Sequence, residues 1–136
     1  VGLYRLPESE MAFVLECSDF KIQSSPVHHM IPTIGIRVES KKMDKVLAYS
    51  CDTEPCEQTV RLAAGADILI HEAGGAAFGH SSAEQAGEIA TKAEVGRLYL
   101  IHYPTGRFAK GDIAAEASKT YKGEVIVAKD FMTIEI

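Results

Sequence analysis

Four residues stand out by chemical type and by place: His29, Asp52, His80 and His102. The apolar run Val46–Tyr49 leads into Ser50-Cys51-Asp52-Thr53. The run Ile68–Ile70 leads into His71-Glu72, and Leu98–Ile101 leads into His102-Tyr103-Pro104. In sheets joined by helical connections, ligand sites gather at the carboxyl ends of strands. His29 sits in the loop segment His28-His29-Met30-Ile31-Pro32, and His80 stands just before a helix start. Imidazole and carboxylate donors together suit borderline divalent metals such as zinc. A carboxylate can bridge two such ions. Ions about 3.5–4 Å apart can hold a hydroxide and stabilise both attacking and leaving oxygens. A helix N-terminus favours an anion, so His80 and the first N–H groups of its helix form a candidate phosphate contact.

Taken singly, each residue also has a plain structural reading. A strand-end histidine is commonly a hydrogen-bonded framework residue. His28 and His29 are adjacent and point different ways, so at most one belongs to the site. Asp52 before Thr53 and Pro55 fits a helix-capping turn. Glu72 is either an outer residue that orients a ligand or a solvated loop acid. It is the recurrence of such residues at successive strand ends that favours a constellation. Other catalytic schemes lack their motifs: there is no G-x-S-x-G, no phosphate-cradling G-x-x-x-x-G-K-[ST] and no H-E-x-x-H.

The elements that must position these residues follow from periodicity. Met11–Glu16 and Phe20–Gln23 read as short strands, and Thr33–Glu39 alternates apolar and polar residues as a half-buried strand does. Lys41–Asp44 is a polar turn that makes a hairpin with Val46–Tyr49. Thr53 is the expected cap of a first helix, with Pro55 near its first turn and Gly65 ending it. Asp67–His71 is an apolar strand of the kind covered on both faces. Ser81 or Ser82 caps a second helix, with Glu84 and Gln85 at capping-box spacing and a small-residue face of Ala83, Ala86, Ala90 and Ala93. Leu98–Ile101 is a strand. Asp112 caps a third helix that runs to Lys122–Gly123, and Val125–Val127 and Met132–Ile136 close the chain as strands. The sum is an α/β or layered α+β fold.

Composition sets the bounds. The chain has 136 residues, a length that suits one domain, with 46% hydrophobic and 24% charged residues. A formal charge of −5 removes the easy argument for a general nucleic-acid coat. No apolar run approaches the roughly 18 residues that a membrane helix needs, so no membrane partner is expected. Cys17, Cys51 and Cys56 form no disulfide framework, and a reducing, cytoplasmic setting fits them.

The order of the segments His29-Met30-Ile31-Pro32-Thr33-Ile34-Gly35, Tyr49-Ser50-Cys51-Asp52-Thr53, Ile70-His71-Glu72-Ala73, Gly79-His80-Ser81-Ser82-Ala83-Glu84-Gln85-Ala86 and Ile101-His102-Tyr103 resembles the metallo-β-lactamase superfamily, in its ribonuclease Z-like branch. The likeness spans about residues 11 to 136. It implies the C-terminal half of an αββα sandwich that carries two zinc ions, manganese or iron being the other candidates. His29 would ligate one ion, Asp52 would bridge both, and His102 would ligate the other. His80 would contact the scissile phosphate. Arg107-Phe108 resembles a basic–aromatic pair that holds substrate or forms an interface.

The departures also carry meaning. The family's first metal motif, H-x-H-x-D-H, is absent, which implies that residues 1–136 are a partial domain whose N-terminal half lies elsewhere. Cys51 stands where the family has a glycine. The interval from His29 to Asp52 is too short for a long substrate-binding arm, and the loop from Glu72 to His80 is compact. The expected function is therefore zinc-dependent hydrolysis of a phosphodiester or similar ester through a metal-held hydroxide, with RNA as one candidate substrate. The alternatives are a transfer-RNA 3′-end endonuclease, and a catalytically inactive half-domain that assembles with its missing half or with another copy.

Overall fold

A computed structural model describes residues 5–109 and 111–136; Val1, where the sequence opens, lies outside them. Among the described residues, seven strands form one sheet in the order of the sequence: β1 (Ala12–Glu16), β2 (Phe20–Val27), β3 (Thr33–Ser40), β4 (Lys45–Tyr49), β5 (Ile68–Glu72), β6 (Arg97–Ile101) and β7 (Glu124–Val127). β1 to β4 form an antiparallel meander. From β4 onward the neighbours are parallel, and each parallel step needs a crossover.

Those crossovers are α1 (Glu57–Ala63), α2 (Ala83–Lys92) and α3 (Ile113–Ala117). Each step moves the chain one strand further in the same direction. Right-handed crossovers then place all three helices on the same face. That face carries Ala48, Leu69, Leu98 and Leu100, which pack against Ala63 of α1, Ala86 and Ala90 of α2, and Ala117 of α3. Gly35 of β3 lets α1 come down on the sheet, because a Cβ there would run into Leu62 and the Tyr49 carbonyl. The register puts Ile34, Ile36, Val38, Leu47, Tyr49 and Ile70 on the opposite face. None of the three helices covers that face.

The alternation expected in Thr33–Glu39 is present, but its apolar side faces away from the helices. Arg37 takes the helix side and donates to the carbonyls of Leu62 and Ala64, which satisfies two orphan acceptors at the end of α1. Thr53 does not cap α1. The helix begins three residues later, with Cys56 at its N-cap and no side-chain cap bond. Thr53 is fully buried, and its hydroxyl instead accepts from the His28 N–H and donates to the Glu54 carbonyl.

Ser82 caps α2 in a reciprocal capping box with Gln85. Asp112 caps α3 through the Ala115 N–H. α3 stops at Ala117 rather than near Lys122, because Thr120 turns to donate to the Glu84 carbonyl and Tyr121 to donate to the Val95 carbonyl, docking the turn on α2. Met132–Ile136 forms no strand. Arg97 holds the Glu135 carbonyl, so the tail is tied to a sheet residue by a side chain rather than by a ladder.

Candidate metal centre

β2 and β4 both run antiparallel to β3, and β4 is parallel to β5 and β6. The carboxyl ends of β2, β4, β5 and β6 therefore share one edge of the sheet. That edge brings His29, Asp52, Glu72 and His102 together, and the loop 73–80 adds His80. The His29 and His80 rings lie 5.0 Å apart between centroids at 70°, and the His80 and His102 rings 5.3 Å apart at 67°. His102 Nδ1 is 2.8 Å from Asp52 Oδ1. Donor atoms of His29, Asp52 and His80 lie within 4.8 Å of one another, as do those of Glu72, His80 and His102. The two groups share His80, and His102 joins the first through Asp52.

Each imidazole has its Nδ1 committed. His29 Nδ1 donates to the Gly79 carbonyl at 2.7 Å. His80 Nδ1 faces Glu72 Oε1 at 3.1 Å. His102 Nδ1 faces Asp52 as given above. A neutral imidazole that donates from Nδ1 presents a bare lone pair at Nε2. Metal-binding histidines commonly hold their other ring nitrogen on a carbonyl or carboxylate in this way. The donor chemistry present thus fits a divalent cation.

Glu72 is no solvated acid. It is fully buried. Its Oε1 accepts from the N–H groups of Thr53 and Ser81 and from His80, and its Oε2 accepts from the Gly74 N–H. A buried carboxylate needs such a set of donors to be tolerated. The same bonds tie the strand end of β4, the loop after β5 and the start of α2 to one group. Ser81, one of two serines that could have capped α2, belongs to this network instead, donating to the Thr53 carbonyl at 2.7 Å. Thr53 and Ser81 are the positioning residues that sequence reasoning assigned to capping. The bare signal for them is a small hydroxyl residue beside each candidate site residue.

Cys51 adopts φ +54°, a left-handed conformation that a glycine takes without strain. Burial pushes its thiol up. The neighbouring Tyr49 hydroxyl is pushed up to about 12, first by burial and then by Cys51 and Asp52. Gly79 has φ +83°, and a Cβ there would stand 2.9 Å from His29 Nδ1. Its N–H donates to Glu54 and its carbonyl accepts from His29, so one residue straps the 73–80 loop to the site.

His71 points the other way, into the core. Its Nδ1 donates to the Glu72 carbonyl, its Nε2 has no partner, and burial lowers its pKa. His28 is exposed. Arg107 lies in a one-turn 3-10 helix (Gly106–Phe108), its guanidinium 4.8 Å from the Phe108 ring centre, and is not among the residues brought together at the strand edge.

Residues 5–103 match the family described as Beta-lactamase superfamily domain. The ribonuclease Z of Methanothermobacter thermautotrophicus is 42% identical over 98 residues, which cover 66% of this chain and 32% of that protein. The ribonuclease Z of Thermobifida fusca is 35% identical over 122 residues, covering 79% and 38%. The crystal structure of human tRNase Z, short form, superimposes with a TM-score of 0.71 at 26% identity, covering 93% of this chain and 47% of that one. The metallo-β-lactamase fold protein YhfI from Bacillus subtilis gives 0.75 at 28% identity, covering 85% and 49%. The chain thus spans about a third to a half of the length of these relatives. By family match and by fold, the chain belongs to the metallo-β-lactamase superfamily, in its ribonuclease Z-like branch.

Proposed function

We propose that this chain supplies the His29, Asp52, His80 and His102 half of a zinc-dependent hydrolase that cleaves phosphodiester bonds, with RNA as its substrate class. The observation that carries the reading is the convergence of three imidazoles at one strand edge around Asp52, each with its Nδ1 already engaged. His29, Asp52 and His102 would hold the metal, with Asp52 as the ligand shared by the two ions expected. Bound zinc would activate water for attack at phosphorus and neutralise charge on the leaving oxygen. His80, fixed by Glu72 through Nδ1, would orient the phosphate and, when both ring nitrogens carry a proton, donate to it from Nε2. Arg107 extends the contact to substrate beyond His102. The remaining ligands come from an N-terminal half outside residues 1–136, which also covers the apolar face bearing Ile34, Ile36 and Val38. Coverage of about a third to a half of the relatives' length supports that arrangement.

A second reading rests on the same open face. A chain that keeps Ile34 exposed and Ile36 and Val38 only half-buried suits an assembly module that pairs with another copy and has no catalysis of its own. The working compartment in either case is a reducing cytoplasm, in keeping with three free cysteines. Among the described residues no helix is long and apolar enough to cross a membrane.

The test is Asp52→Ala in the full-length protein. Elemental analysis should show loss of bound zinc, and hydrolysis of bis-p-nitrophenyl phosphate and of precursor transfer RNA should both disappear. Retention of two zinc ions per chain by the variant refutes the role given to Asp52. Cleavage of precursor transfer RNA alone by the unaltered protein would identify the 3′-end endonuclease within this class.

A further inference from the structure

Beside His29 lies a cavity of about 280 Å³ lined by Val27, His28, His29, Glu54, Phe78 and Gly79. Its walls are fixed in an unusual way. Gly79 is buried and bonded to both sides, to Glu54 through its N–H at 2.9 Å and to His29 through its carbonyl at 2.7 Å. Phe78, the next residue back, is 78% exposed. The loop therefore holds an uncovered aromatic ring at the rim of a cavity whose inner wall is a candidate metal ligand. A single exposed apolar residue on a free surface needs no explanation. One whose neighbour Gly79 is strapped beside the candidate metal site does, and Phe78 contributes nothing to the core.

We propose that this cavity is the subsite for the nucleobase next to the scissile phosphate, with Phe78 as its stacking platform. The inference rests on the phosphodiester reading above and deepens it. The chemistry of the walls selects the occupant. An aliphatic chain would cover Phe78 but would desolvate the Glu54 carboxylate while offering it no donor beyond the Gly79 N–H it already meets. A ring bearing a carboxylate or a further phosphate would meet that carboxylate with like charge. A flat heterocycle with an exocyclic amino group satisfies both, stacking on Phe78 and donating to Glu54. The volume takes one ring system, below the range of pockets that enclose a whole drug-sized ligand. Adenine, guanine and cytosine meet these terms, whereas uracil has no exocyclic amino group and offers only its ring N3–H, flanked by two carbonyl oxygens.

The test measures binding rather than turnover. The full-length protein with zinc is titrated by calorimetry with adenosine 5′-monophosphate, uridine 5′-monophosphate and ribose 5-phosphate. Adenosine 5′-monophosphate should bind roughly tenfold more tightly than ribose 5-phosphate, the ratio that one base–aromatic stack supplies, and more tightly than the uridine nucleotide. Phe78→Ala should bring the first ratio close to one while ribose 5-phosphate binds as before, and Phe78→Tyr should restore it. Phe78 is exposed, so neither change disturbs folding. Equal binding of adenosine 5′-monophosphate and ribose 5-phosphate by the unaltered protein overturns the subsite and leaves the phosphate reading standing. Failure of ribose 5-phosphate to bind at all overturns both. A ratio unchanged in Phe78→Ala, with self-association lost in sedimentation, overturns it in favour of a protein contact at Phe78.

Discussion

Replacing Glu72 separates a carboxylate that holds the site from one that merely stands near it. Thr53 N–H, Ser81 N–H and His80 Nδ1 all point at Oε1, and only Gly74 N–H points at Oε2. Glu72→Gln can keep its carbonyl oxygen at the Oε1 position. It then loses one bond, where its amide group faces the Gly74 N–H, at a cost of about 1–2 kcal/mol. Glu72→Leu strands every donor. Thr53 and Ser81 are fully buried, and each unsatisfied buried donor costs about 1–3 kcal/mol. With some compensation from the apolar side chain, Glu72→Leu should cost about 3–5 kcal/mol. The two variants should also part in turnover. Glu72→Gln still holds the His80 ring, whereas Glu72→Leu frees this phosphate contact, and loss of one positioned charge-stabilising donor typically costs about 10²- to 10³-fold in kcat. Urea titration followed by far-ultraviolet circular dichroism gives the stability ranking, and hydrolysis of bis-p-nitrophenyl phosphate by the full-length protein gives the rates. Equal stability of Glu72→Gln and Glu72→Leu would refute the bond-by-bond reasoning. A Glu72→Leu variant as stable as the unaltered chain would refute the network itself.

Two further outcomes follow from backbone strain and burial. Cys51 carries φ +54°, so Cys51→Gly should be neutral or slightly stabilising in a thermal melt, whereas Cys51→Val, β-branched in that conformation, should cost about 1–3 kcal/mol; equal losses would show that packing rather than φ governs the site. His71 is buried with its pKa lowered from the usual 6.5 by desolvation. The unfolded chain therefore binds a proton below pH 6.5 that the folded chain resists, so this contribution is complete above that pH and is lost as pH falls. His71→Gln should flatten the stability profile below about pH 6.5, and an unchanged slope in urea titrations on the acid side of that pH would contradict it.

What the sequence made legible was placement along the chain. Strand ends are announced by apolar runs that stop at a polar residue, so Asp52, Glu72 and His102 were findable, and topology did the rest by bringing those ends to one edge. Facing was less legible. Ile34, Ile36 and Val38 alternate as expected, but alternation cannot say which side holds the helices, and the polar Arg37 lies on the helix side, where it meets the end of α1. Capping was legible where the partner is local, as for Ser82 with Gln85 and Asp112 with Ala115. It failed at Thr53, whose partners are contributed by His28 and Glu72, far away in sequence. The closing residues 132–136 have strand-like composition, yet only tertiary structure decides whether an edge is offered to them.

The sheet that runs in sequence order has a consequence for how the molecule comes into being. Every strand pairs with its neighbours in sequence, so no pairing skips an intervening strand. Loop closures are short within the β1–β4 meander, which lowers their entropic cost, and each parallel step waits for its crossover helix. On a ribosome the meander can close before the first crossover helix has emerged. The order in which the four strand ends appear is then the order in which His29, Asp52, Glu72 and His102 are delivered to their common edge.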